Sequence, residues 1–330
     1  MKLEYDLKLL SKYRTPLMGF AILLVMFSHT TFDDREILFP LRLLHRHAFG
    51  GVDIFFFLSG LGIYFAFQKE NVTTFLKRRF VRILPYYLPV LILFTVFFLY
   101  RYDYITFGGI FTRIFMIDSW FDKTTNGVGW YIPTALFYYL LTPLFMKLID
   151  FNKNSHVFGW LAILFTLSFV VDIFFGVQRP MYDLQRFCVY LLGIYTGCLI
   201  SKGKKINPLW LLGPLLVGIL SLAVAYLYMF EDIVFAHYFR VFPFFFVMPP
   251  VCIFMTILMN MVPKYKFPVL SFFGLYTLNI YIFHERISEM VFYFMGYSHA
   301  NILWATIITI ISAVIWQKFI SALLKKSGYL

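Results

Sequence analysis

The sequence predicts an all-α integral membrane protein, a bundle of about ten transmembrane helices with both termini in the cytoplasm. Three observations predict it. Only 14% of the residues are charged and 61% are hydrophobic, with a mean hydropathy of +0.76, whereas a soluble domain carries about 25% charged residues. Apolar runs of roughly 17 to 25 residues recur from end to end, long enough for spanning helices and too long for the roughly 10-residue alternating strands of a membrane barrel. Lys and Arg are also uneven: 19 of the 29 fall in alternate segments beginning with the N-terminal one, and 10 in the others, which by the positive-inside rule places both termini inside.

Taken in order, spans are expected at 15–32, 51–68, 84–100, 128–146, 157–177, 184–201, 207–229, 238–261, 267–284 and 301–323. The start, MKLEYDLKLLSKYR, mixes acidic and basic residues and no small-residue cleavage site follows the first run, so that run reads as a retained span. Residues 33–50 and 101–127 become outer loops carrying Asp33, Asp34, Asp118 and Asp122. Pro249 and Pro250 are expected to interrupt the eighth span. No repeat, low-complexity tract or linker divides the chain, so residues 1–330 read as a single transmembrane domain. The net charge of +12 sits in short clusters between spans, where it sets topology and meets anionic membrane lipids, so nucleic acid is not an expected partner. Cys188, Cys198 and Cys252 lie in apolar runs without redox or zinc spacing and read as packing residues.

The chemistry is expected where ionisable groups enter the spans, because each costs on the order of 2.5 kcal/mol or more in a membrane and usually has a task. His29 closes the first run in GFAILLVMFSH, and His284, in IYIFHER, is expected at the outer end of the ninth span. An imidazole is suited to taking a proton from a hydroxyl at neutral pH and returning it to a leaving group. A metal site is not expected, since the chain has neither an HxxxH helix pair nor a nearby carboxylate trio. Asp53, in GGVDIFFFLSG, is either a carboxylate that orients a neighbouring histidine or a helix N-cap. Ser59 and Gly60 in the same run read as helix-packing residues, the Gly-x-Ser-x-Gly elbow being absent.

In FLKRRFVRILPYY, Arg78 and Arg82 are four apart and Arg79 and Arg82 three apart, so they share a helix face that serves either as a phosphate clamp or as topogenic charge. Trp130 and Tyr131 in GWYIPTALFYYLLTPLF would mark the outer interface or offer a sugar-stacking platform, with Pro133 distorting the first turn. Arg186, at the outer start of the sixth span, would hold the acceptor or snorkel. His45 and His47, beside Arg46, read as a face towards solvent or headgroups.

Taken together, FAILLVMFSHT, GGVDIFFFLSG, LKRRFVRILPYY, WYIPTALFYYLLTP and LSFFGLYTLNIYIFH resemble, in order and spacing, the membrane-bound acyltransferase 3 family over most of the chain. The resemblance implies transfer of an acetyl or other short acyl group from cytoplasmic acyl-CoA to a hydroxyl of an extracytoplasmic or lipid-linked saccharide, in a multi-pass protein of the bacterial cytoplasmic membrane. It implies no bound cofactor, with acetyl-CoA or another acyl-CoA as donor substrate. By position His29 matches the catalytic histidine, with Asp53 as its candidate carboxylate. Arg79 and Arg82 match the donor-handling Arg-x-x-Arg pair, joined by Arg78. His284, Trp130 and Arg186 are then the acceptor-binding candidates. The family's basic residue eleven positions before the histidine is Met18 here, and Arg14, one turn earlier, would reach toward the same place. Ala135 and Leu136 stand where family members often carry Glu, and Val128 where a histidine is common. Two other functions fit the composition: a transporter or flippase of a polymeric or lipid-linked sugar, which should show broken helices near the midplane, and a catalytically silent partner in polysaccharide synthesis.

Overall fold

The computed structural model describes residues 4–30, 38–101, 111, 130–175, 178–227, 238–262 and 266–328; Asp33, Asp34, Asp118, Asp122 and Val128 lie outside the described residues. The chain enters through a two-residue strand β1 (Tyr5–Asp6) and a short helix α1 (Lys8–Lys12). It continues through α2 (Arg14–Ser28), α3 (Phe39–His47), α4 (Gly51–Phe67), α5 (Val72–Arg101), α6 (Tyr131–Leu148), α7 (Asn154–Phe175) and α8 (Gln178–Ser201). Strand β2 (Lys205–Ile206), α9 (Leu212–Leu227), α10 (Phe244–Met261), α11 (Pro268–Leu275), α12 (Thr277–Met295) and α13 (His299–Lys326) complete it. Where their residues are described, the expected spans fall mainly on helix. Among the described residues seven helices are long and apolar enough to cross a membrane, and α2 is a shorter apolar one.

Local chemistry explains the boundaries. Asn71 accepts from the Thr74 amide ahead of α5, and Ser298 accepts from the Asn301 amide ahead of α13, satisfying donors that a helix start leaves orphaned. Beyond α12, Gly296 takes φ 74°, a left-handed conformation that costs glycine little. Pro249 and Pro250 do not end the eighth span as expected: α10 runs through both. The interruption lies in the ninth span, at Tyr276, where φ −102° and ψ 9° separate α11 from α12. That span also continues past its expected end, so His284 lies in mid-helix and the Glu-Arg after it is helical. Pro133 distorts nothing, because the first turn of α6 requires no amide from it.

Helix α4 is apolar all round, buried continuously from Gly51 to Leu58, and forms the centre. It packs most extensively on α8, as α2 does on α11. Both pairs interlock through glycine: a Cβ on Gly60 would collide with the Tyr190 carbonyl and one on Gly193 with that of Phe57. Likewise a Cβ on Gly19 would strike the Leu270 carbonyl, and one on Gly274 that of Thr15. Close backbone approach is how helices associate when lipid removes the hydrophobic difference between partner and solvent. Ser59 and Gly60 therefore pack as expected, with Ser59 Oγ 2.9 Å from the Tyr139 hydroxyl. Apolar faces of α9 (Leu216, Leu220, Leu227) and α13 (Leu303, Ile311, Ile315) stay exposed, as lipid-facing helices require. The β1–β2 pair, with Lys205 to Glu4 at 3.2 Å, holds the N-terminal segment and residues 205–206 on the same side of the bundle. The three cysteines are free and buried.

Candidate active site

Helix α2 ends at Ser28 and His29 is its C-cap, so the imidazole projects from a helix terminus that the apolar run itself positions. Its Nδ1 lies 2.8 Å from the Val25 carbonyl, one turn back. A carbonyl only accepts, so Nδ1 carries the hydrogen and Nε2 is left for chemistry. Nε2 meets Glu285 Oε1 at 2.5 Å. The His284 ring stands edge-on to that of His29 with centroids 4.9 Å apart, and its own Nδ1 is 2.7 Å from the Tyr281 carbonyl. His284 is 4% exposed and its Nε2 has no hydrogen-bond partner among the described residues. A cavity of about 30 Å³ adjoins the two rings and is lined on its polar side by Thr30, Ser288, Thr306 and Thr309. Three helices, α2, α12 and α13, thus converge on one point.

The two histidines expected to share a leaflet do meet, but the carboxylate beside them is Glu285. Asp53 is not at His29, nor is it the N-cap of α4, which is Gly50. It sits in the first turn, fully buried, with Oδ2 3.7 Å from Arg186 Nε. The Arg186 guanidinium lies 4.4 Å over the Trp130 ring. Arg186 and Asp53, both buried, and the partly buried Trp130 therefore form one cluster. Near it, Thr134 donates to Asp183 at 3.2 Å, and the Tyr138 hydroxyl donates to the Asp183 carbonyl. Tyr131 is not an interface marker: its ring packs against Phe56 at 5.0 Å and Tyr281 at 5.2 Å in the interior.

The arginines separate into two groups. Arg78 is exposed and paired with Glu70, and it faces away from the bundle. Arg79 is partly buried beside Phe75, with its Nε unpartnered among the described residues. Arg14 reaches up to α4 opposite Gly62, also with an unpartnered buried Nε. Arg82 and Tyr139 lie within electrostatic reach of both Arg14 and Arg79. Arg14, Arg79 and Arg82 hence share one neighbourhood. His45, expected on a face towards solvent or headgroups, is half-buried: its Nε2 is 2.7 Å from the Thr30 carbonyl and its ring packs on Phe27.

Glu285 is the residue the sequence reading missed. It follows His284 directly, and an acid inside an apolar stretch is a usable signal. The signal is lost once the ninth span is ended at residue 284, because Glu285 then reads as a loop residue.

The family described as an acyltransferase domain, acyltransferase 3, matches residues 17–318. A curated relative, acyltransferase MdmB of Streptomyces mycarofaciens, is 29% identical over 152 residues, covering 41% of this chain and 39% of that protein. No solved structure matches.

Proposed function

The chain belongs to the acyltransferase 3 family and is a multi-pass membrane acyltransferase; from that premise we propose that it moves an acetyl or other short acyl group from cytoplasmic acyl-CoA to a hydroxyl of an extracytoplasmic or lipid-linked saccharide. The observation that carries the reading is the 2.5 Å contact between His29 Nε2 and Glu285 at a cavity flanked by His284.

A neutral imidazole lone pair cannot face an ionised carboxylate at that distance, since both would be acceptors, so the closed pair shares a proton. When that proton is released to bulk water, Nε2 regains its lone pair. An acceptor hydroxyl entering from the outer side takes the place of Glu285 at Nε2 and donates to it, and the displaced carboxylate, still beside the ring, stabilises the imidazolium that forms. The alkoxide oxygen adds to the thioester carbonyl carbon and the carbonyl electrons move to oxygen. Collapse breaks the C–S bond, and the CoA thiolate takes the proton from His29. His284, its Nδ1 hydrogen given to Tyr281, offers Nε2 as an acceptor for a second hydroxyl of the saccharide. Arg14, Arg79 and Arg82 hold the donor phosphates through charge-assisted bonds. Arg186, 3% exposed and held over the Trp130 ring, orders that ring from behind the acceptor side of the site. With both termini cytoplasmic, as the charge asymmetry argues, the donor arrives from within and only the acyl group crosses.

The test is transfer of radiolabelled acetyl from acetyl-CoA to cell-envelope saccharide in membranes carrying wild-type protein or His29→Ala. We expect label in the saccharide with wild type and a loss of at least 100-fold with the variant at matched protein. Equal label in both would overturn the assignment of His29.

A further inference from the structure

We propose that His29, His284 and Glu285 also form a binding site for a divalent cation of the zinc class, whose occupation switches the enzyme off. One donor atom from each residue lies within 4.8 Å of the other two, although the histidines are 255 positions apart in sequence. The tautomers are those a metal requires. Each imidazole directs Nδ1 at a backbone carbonyl, Val25 for His29 and Tyr281 for His284, leaving both Nε2 atoms as the donors. Such anchoring of the remote nitrogen is the usual support of a metal-ligating histidine. His284 supplies the independent sign of a ligand: it is 4% exposed, yet its Nε2 has no partner among the described residues.

Two imidazoles and one carboxylate are the His₂Glu donor set that zinc accepts with an open fourth position, and the cavity of about 30 Å³ at the two rings has room for a water there. Bonds of 2.0–2.2 Å set tetrahedral donors about 3.3–3.6 Å apart. The 2.5 Å edge between His29 and Glu285 must open by about 1 Å and the widest, at most 4.8 Å, must close by no more than about 1.5 Å. His29, whose side chain is 37% exposed at a helix end, has the freedom to do this. A metal on Nε2 takes the lone pair that would receive the acceptor's proton, so binding and acyl transfer exclude each other. Only this inhibitory consequence rests on the role proposed for His29; the binding itself does not.

The experiment uses full-length protein purified in detergent without a polyhistidine tag, stripped with chelator and titrated with Zn²⁺ against a colorimetric chelating dye, and with Co²⁺ by visible absorption. We expect one equivalent of Zn²⁺, a tetrahedral Co²⁺ spectrum, and at least tenfold weaker binding in each of His29→Ala, His284→Ala and Glu285→Gln. Melting temperatures without metal show that each variant is folded, and a Zn²⁺-dependent rise in the melting temperature of wild type provides a readout free of mutation. Replacing Cys188, Cys198 and Cys252 with Ala should leave binding unchanged. Failure of wild type to bind micromolar Zn²⁺, unaltered binding in the three variants, or loss on removing the cysteines would each overturn the site. Zinc binding by a protein without acyl transfer would leave the site standing and sink the proposed function instead.

Discussion

Glu285→Gln is the most telling perturbation, because it keeps the size of the side chain and removes the charge that meets His29. A hydrogen bond to a charged group contributes about 1.5–3 kcal/mol, and the contact is 2.5 Å with Glu285 only 18% exposed, so little solvent screens it. At 1.36 kcal/mol per factor of ten this corresponds to a loss of roughly ten- to 150-fold in transfer rate. His29→Ala removes the base itself and should cost about 10²- to 10⁴-fold. If the carboxylate acts through the imidazole, the double variant should be no slower than His29→Ala alone, since residues working as a unit are not additive. The assay is initial-rate transfer of labelled acetyl in proteoliposomes with chelator present, at equal amounts of folded protein. A double variant slower by the product of the two single effects, or a Glu285→Gln rate within twofold of wild type, would refute the pairing.

Further expectations follow from the other clusters. Arg79→Gln with Arg82→Gln should weaken acyl-CoA binding at least tenfold by equilibrium titration, whereas Arg78→Gln should leave it unchanged, since Arg78 is exposed and paired with Glu70. Arg186→Gln strands a fully buried Asp53 and should cost about 3–5 kcal/mol, seen as a lowered melting temperature that Asp53→Asn partly restores; equal melting of single and double variants would break the link. Gly60→Leu should prevent stable assembly of α4 on α8, while Gly159→Ala, with open space around it, should be neutral or stabilise by up to about 1 kcal/mol in chemical denaturation. In a cysteine-free background, Ser298→Cys should react with an impermeant thiol reagent outside intact cells and Lys204→Cys should not; the reverse pattern would invert the proposed orientation.

What the sequence disclosed and what it withheld divides along physical lines. Spans were legible because an apolar run of sufficient length has few alternatives, and His29 was legible because an imidazole at the end of such a run is costly. The split of the arginines was not, because three- and four-residue spacing places Arg78, Arg79 and Arg82 near one helix face without saying where the bundle lies. Asp53 shows the same limit: its neighbours in sequence left a carboxylate beside a histidine and a helix N-cap equally open, and Arg186 as partner depends on how α4 meets α8, more than a hundred residues away in sequence. Helix ends were the weakest point. Ending a span where the first charged residue appears is sound on average, and it hid Glu285 because here the charged residues belong inside the helix.

The interlock of α2 with α11 constrains which changes in length the gene can tolerate. Gly19 and Gly274 fix the two helices against each other, and from those points the chain counts ten residues to His29 and eleven to Glu285. Both intervals act as rulers. One codon inserted between Thr277 and Glu285, inside the continuous helix α12, turns every later side chain of that helix by about 100° and advances it by 1.5 Å, carrying the carboxylate off the imidazole without changing the number of apolar residues. Deletions and insertions within the helical parts of these two stretches should therefore abolish activity while hydropathy stays the same.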